Sequence, residues 1–240
     1  MTELYFSPAR PDEGRLAIDG AEARHISRVM RHRRGDRIAV TDGAGCEYGI
    51  ELESVGAERV VGRVVETGVM QREPGHRLVL AQAVLKGDKL EQVCEQATEL
   101  GIRALIPLRT ERTIGRLGGR KHERLHSAAL AGLKSSTRTV LPEIEAEHDL
   151  AALARRAGEF DQVLVAYEEE RGAGLADVIH RDARSVLVVV GPEGGFSAEE
   201  VEMLKRSGAM SFSLGPRRLR AETAAVAAVA AVLQMLGDLG

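Results

Sequence analysis

The chain has 240 residues, 44% of them hydrophobic, enough for one large domain or two small ones with separate cores. Its longest unbroken apolar run, Ala224 to Leu233, is half of what a membrane span requires, and Cys46 and Cys94 are too few for a disulfide framework or a cysteine-rich zinc site. The formal net charge of -3 argues against a nucleic-acid partner only as an average, because the charge is segregated. Six arginines and one acid occupy Ala23 to Arg37, seven basic residues and two acids occupy Arg103 to Arg124, and nine acids stand with two arginines between Leu141 and Glu170. A local basic surface drives phosphate contact whatever the whole-chain sum.

The N-terminal stretch from Met1 to Arg15 lacks the basic head and apolar middle of a signal peptide, so a reduced, cytoplasmic protein is expected. A short helix is predicted over Ala21 to Met30. Three strands rich in β-branched residues follow, at Arg37–Thr41, Tyr48–Ser54 and Arg59–Glu66, separated by turn signals around Gly35, Gly43 and Gly56. Polar residues with Gly and Pro make Thr67 to His76 a linker. Beyond it strands and helices alternate. Strands are expected at Arg77–Val84, Arg103–Pro107, Gln162–Ala166, Ser185–Val190 and Ser211–Leu214. Helices are expected at Asp88–Leu100, Lys121–Ser136, His148–Ala157, from the Ser197/Glu200 capping box to Arg206, and at Glu222–Leu236. This is the pattern of an α/β domain with a largely parallel sheet. The boundary is placed between residues 72 and 73, giving domains 1–72 and 73–240.

Ligands of open α/β sheets bind beyond the carboxyl ends of the strands. Two such ends stand out. Gly191-Pro192-Glu193-Gly194-Gly195-Phe196 follows a buried strand and allows close backbone approach, although its plain reading is a tight strand-to-helix turn. It has neither the Gly-Lys-Ser/Thr of a P-loop nor the spacing of a dinucleotide fingerprint. Leu214 to Ala224 crowds Arg217, Arg218 and Arg220 ahead of a Glu222-Thr223 pair at a helix start, where Glu222 complements the helix dipole. His122 and His126 have metal-like spacing but no carboxylate or thiolate partner at a useful offset, so no metal site is expected.

At these residues the sequence resembles the RsmE family, bacterial small-subunit ribosomal RNA methyltransferases of the SPOUT superfamily. GPEGGFSAEE (191–200) and LGPRRLRAETA (214–224) are similar to its two cofactor-loop motifs. HISRVMRHRRGD (25–36), LKGDKLEQVCEQATELGIRALIPLRTERT (85–113) and SSTRTVLPEI (135–144) match three others in order and spacing. The resemblance implies an N-terminal PUA-like β-barrel domain for RNA and a C-terminal SPOUT α/β methyltransferase domain with a trefoil knot. It implies a homodimer, S-adenosylmethionine as cofactor, and methylation at N3 of uridine 1498 of 16S rRNA within the small ribosomal subunit. On that basis the cofactor residues are Ala166, Gly191, Pro192, Glu193, Gly195, Leu214, Gly215, Leu219, Thr223 and Ala224. Arg220 or Arg138 would stabilise the uracil anion, and Glu222 would take the proton or hold an arginine. His25, Arg28, Arg31 and Arg34 would contact RNA. The chain departs from the family pattern at Ser135, Gln96 and Arg218, where glutamine, lysine and an aliphatic residue are usual. Two rival readings are a SPOUT enzyme acting on another RNA atom, such as a ribose 2′-oxygen, and a non-enzymatic RNA-binding ribosome-assembly protein.

Overall fold

The computed structural model describes residues 3–70 and 72–239. Met1 and Thr2, at the head of the stretch read for a signal peptide, Gln71 in the expected linker, and Gly240 lie outside the described residues. The chain divides into two compact units, residues 1–73 with 133–141, and residues 74–132 with 142–240.

In the first unit, β1 (Leu4–Phe6), β2 (Arg15–Asp19), β3 (Arg37–Thr41), β4 (Cys46–Val55) and β5 (Arg59–Val69) form one sheet in the order β1-β3-β4-β5-β2. Between β2 and β3 stand α1 (Gly20–Arg24) and a π-turn, His25–Val29. Alternate residues turn inward, so Leu16 and Ile18, Ile38 and Val40, and Ile50 and Leu52 meet Tyr5, Val60 and Ile26 in one core. Register shifts at Gly49/Ile50 and Leu52/Ser54 bend the long β4–β5 ladder. The sheet edges approach where Ser7 Oγ donates to the Ala17 carbonyl at 3.3 Å. Strand β5 runs into the stretch expected to be a linker, because Thr67, Gly68 and Val69 still have partners in Tyr48, Glu47 and Cys46.

Residues 133–141 were expected in the second domain and pack instead with the first unit. The Thr139 carbonyl accepts from Gly45 N (2.9 Å) and Thr41 Oγ1 (3.2 Å), and Leu141 N donates to the Gly43 carbonyl (2.8 Å).

The second unit is built on a parallel sheet. Its strands are β6 (Arg77–Ala83), β7 (Ala104–Arg109), β8 (Glu143–Ile144), β9 (His148–Asp149), β10 (Gln162–Ala166), β11 (Ser185–Val190) and β12 (Met210–Phe212). The order is β12-β10-β11-β6-β7-β8, with β9 also paired to β7. Its helices are α2 (Lys89–Leu100), α3 (Gly119–Ser135, the last turn in the first unit), α4 (Leu150–Arg155), α5 (Leu175–Val178), α6 (Ala198–Arg206) and α7 (Ala221–Leu236). Strand β10 is buried throughout and β11 in all but its first residue, as continuous apolar runs in a covered sheet should be. Gly101, in the left-handed region at φ 118°, stops α2. The helix expected from His148 begins only at Leu150: His148 and Asp149 pair with Leu108 and Arg109, and the Asp149 carboxylate accepts from Ala152 N to cap α4. Among the described residues no helix is long and apolar enough to cross a membrane.

Candidate cofactor cleft

The carboxyl ends of β10, β11 and β12 open into a cleft of about 1220 Å³. Its walls are residues 167–174 after β10, 191–195 after β11, 213–220 after β12, and the first turn of α7. Ala166, Gly191, Pro192, Glu193, Gly195, Leu214, Gly215, Leu219, Ala224, Arg220 and Glu222 all line it. Thr223 does not; it is exposed on another side of α7.

The loop after β11 is held by side chains and backbone from distant strand ends. Gln82, fully buried at the end of β6, donates from Nε2 to the Gly191 carbonyl at 3.1 Å. The Glu193 carboxylate accepts from Lys86 N at 3.0 Å. Arg112 Nη1 donates to the carbonyls of Gly194 (2.9 Å) and Phe196 (3.3 Å). Glu200 completes the capping box with Ser197 and also accepts from Glu111 N at 2.7 Å. Glycine is required here for two reasons. A Cβ on Gly191 would stand 3.2 Å from the Phe196 ring, and Gly195 adopts φ +69°. The loop is therefore set before any ligand arrives.

The loop after β12 brings the arginines. Gly215 N donates to Ser213 Oγ at 3.1 Å, and Arg220 is the residue preceding α7, with no side-chain cap on the helix. Arg217, Arg218 and Arg220 are exposed. Glu222 Oε1 lies 3.4 Å from Lys89 Nζ, so its partner is a lysine rather than the arginine expected. Its Oε2 is buried without a hydrogen-bond partner among the described residues. The Glu222 carboxyl is held below the ordinary carboxylate range, first by its own backbone N–H at the helix start and then by Lys89 and Arg220, against the opposing effect of burial.

Sequence reading missed Lys89, Arg112 and the acidic segment Glu168–Glu170. Lys89 and Arg112 are brought to the cleft by the topology, with no local spacing to single them out, whereas Glu168–Glu170 directly follow the expected strand Gln162–Ala166, whose carboxyl end was the available signal. Arg138 sits in the first unit, 2% exposed, with Nη2 2.7 Å and Nε 3.1 Å from Glu73 Oε2. In this structure that guanidinium is committed to Glu73, outside the residues that line the cleft. In the same unit Arg28, Arg31 and Arg34 are exposed. His25 is half-buried, with Nε2 2.9 Å from Glu3 Oε1 and its ring edge-on to Tyr5. Among the described residues no group of three His, Cys, Asp or Glu side chains is placed to hold a metal ion.

The model of an RNA methyltransferase domain matches residues 71–233, and that of an RNA methyltransferase PUA domain matches residues 18–65. The ribosomal RNA small subunit methyltransferase E of Bacillus subtilis is 35% identical over 227 residues, covering 90% of this chain and 89% of that protein. The Mycobacterium tuberculosis protein of the same name is 28% identical over 239 residues, covering 95% and 90%. Among solved structures, a Legionella pneumophila protein in complex with the cofactor SAM is 26% identical with a TM-score of 0.89, covering 98% of each chain. A ribosomal RNA small subunit methyltransferase E from Neisseria gonorrhoeae shares the fold at a TM-score of 0.89 and 24% identity, again covering 98% of each.

Proposed function

Because the chain belongs to the ribosomal RNA small subunit methyltransferase E family, an S-adenosylmethionine-dependent methyltransferase of 16S rRNA, we propose that the atom it methylates is N3 of a uridine, the family's position 1498. The observation that carries the reading is the cleft itself, with its preset glycine loop, open first turn of α7 and Arg220 at the lip. The residues fit the cofactor. Gly191 and Gly195 let the loop backbone run close against Phe196 and Glu168, where a Cβ would intrude, the lining is mixed polar and apolar, and among the described residues no phosphate cradle is present. Ala166, Gly191, Pro192, Glu193, Gly195, Leu214, Gly215, Leu219 and Ala224 would hold it.

When bound, S-adenosylmethionine supplies a methyl group activated on a sulfonium. The chain has two remaining tasks, to align the nucleophile and to manage the N3 proton. Arg220, exposed at the lip, stabilises the uracil anion. Glu222 is ionised and of low basicity, so it serves better to fix Lys89 than to abstract a proton. Arg28, Arg31 and Arg34 contact RNA phosphates, and His25, its Nε2 held by Glu3, contacts RNA beside them. The same reading includes the trefoil knot, a cytoplasmic location and a homodimer. Helix α7 leaves Val226, Ala227, Ala230 and Ala231 half-buried, an apolar stripe for a second copy, and sedimentation at two concentrations tests it.

The deciding experiment is nucleoside analysis of 16S rRNA from a strain lacking the gene. Loss of 3-methyluridine, restored by the intact gene, is expected. Persistence of 3-methyluridine with a ribose methyl missing would place the chemistry on a 2′-oxygen. Absence of S-adenosylmethionine binding at millimolar ligand would leave only an RNA-binding role.

A further inference from the structure

We propose that Glu168 makes the cleft prefer the charged methyl donor over the neutral product left after transfer. This rests on the reading that the cleft binds S-adenosylmethionine. Five carboxylates line the cleft, and four are already committed. Glu169 accepts from Tyr167 Oη at 3.0 Å. Glu170 accepts from Gly172 N at 2.8 Å and from Ser211 Oγ. Glu193 accepts from Lys86 N, and Glu222 pairs with Lys89. The Glu168 carboxylate has no hydrogen bond or ion pair among the described residues; only its backbone carbonyl is engaged, by Arg171 at 2.7 Å.

Its place is set by Gly195. Glu168 Oε1 occupies space that a Cβ on Gly195 would enter, so the missing side chain lets this carboxylate lie against the cofactor loop. The basic lining residues divide in a similar way. Arg112 and Arg171 donate to backbone carbonyls and Lys89 is paired, while Arg217, Arg218 and Arg220, in the loop after β12, carry no ion pair among the described residues. One wall thus offers a single free anion.

The donor and the product differ in one methyl group and one positive charge. In the transfer the methyl–sulfur bond breaks and its electron pair stays on sulfur. A carbon–nitrogen bond forms to a nucleophile that has already lost its proton. Sulfur passes from sulfonium to neutral thioether. A free carboxylate in a half-enclosed cleft attracts the first and gains nothing from the second. Glu168 would therefore favour loading before transfer and discharge after it.

Calorimetry on the intact wild-type chain and on Glu168→Gln tests this with three probes: S-adenosylmethionine, S-adenosylhomocysteine and sinefungin, whose amine replaces the sulfonium. Glu168→Gln should weaken the two cationic ligands about fivefold, the scale of one partly screened charge pair, and leave the neutral thioether within about twofold. Glu168→Asp should keep donor ahead of product, and added salt should narrow the wild-type gap. Equal weakening of all three ligands, or no change in any, overturns the proposal. A wild-type chain that binds none of them overturns the proposed function instead.

Discussion

Arg138 and Glu73 form a buried ion pair, each side chain 2% exposed, across a sequence separation of 65 residues. Glu73 does more than neutralise the guanidinium. Its Oε1 accepts from the backbone N–H groups of Thr139 (2.8 Å) and Val140 (3.0 Å), so one carboxylate fixes the whole turn after α3. Breaking such a pair strands a charge in the interior, at a cost of about 3–5 kcal/mol. Glu73→Ala and Arg138→Ala are therefore expected to lower the urea midpoint sharply. Replacing the pair together, by Glu73→Ala with Arg138→Ala, should cost less than the sum of the two single changes. Additive losses in a double-mutant cycle would show that the two side chains act independently.

The loop after β11 gives a second expectation. Gln82→Met keeps the volume but removes the donor to the Gly191 carbonyl, leaving a buried acceptor unpaired at about 1–3 kcal/mol. Because that carbonyl belongs to the cofactor loop, S-adenosylmethionine affinity should fall about tenfold, equivalent to about 1.4 kcal/mol. Titration calorimetry read beside a melting curve checks it. A lower melting temperature with unchanged affinity would make Gln82 purely structural.

Much of this was legible in the sequence wherever the signal is local. The run Ser185–Val190 announces a covered strand, Ser197 with Glu200 announces a helix start, and Gly101 announces a helix stop. Strands β1 and β2 escaped notice because three and five residues, set among Pro, Gly and acids, are too short for periodicity to speak. The partners that hold the cleft were invisible for another reason. Arg112 meets Gly194 across 82 residues, and Gln82 meets Gly191 across 109. Only the strand order puts them side by side. The Arg138–Glu73 pair was equally invisible, because a motif position reports that a residue matters and not what it touches.

Arg220 should separate chemistry from binding. It is exposed at the lip of the cleft and caps nothing, so Arg220→Ala leaves the fold and the cofactor loop in place. If it stabilises the charge that develops on the base, the rate should fall by about 10²–10³ while cofactor affinity stays near wild type. Single-turnover methyl transfer and calorimetry on the same preparation decide this. Parallel losses would move Arg220 into the cofactor site.

The Lys89–Glu222 pair predicts a shift with pH. Glu222 is held below the ordinary carboxylate range, so its stabilising contribution is present at neutral pH and is lost as pH falls through that lowered value. Lys89→Met removes a hydrogen bond and a positive charge that favour the ionised form, and the carboxyl rises towards its ordinary value. The loss of stability on acidification should then be complete at higher pH, read as melting temperature against pH. Coincident acid limbs of stability in wild type and variant would show that Lys89 does not hold Glu222 in its ionised form.

The basic turn of the first unit supplies the last expectation. Arg31 and Arg34 are exposed and have no ion pair among the described residues, whereas Arg24 in the same cluster is paired with Glu58 at 2.9 Å. Arg31 also adopts φ +58°, a left-handed backbone that sets the direction of the turn. Arginines that contact phosphates release counterions on binding, so each lost contact to single-stranded RNA lowers the slope of log affinity against log salt by about 0.7. Reversing both charges, Arg31→Glu with Arg34→Glu, should weaken binding of a small-subunit rRNA fragment and flatten that slope by about 1.4. Reversing Arg24, already satisfied by Glu58, should flatten it less. Fluorescence anisotropy across a salt series measures both quantities, and an unaltered slope in the double variant would place the RNA contacts elsewhere on the chain.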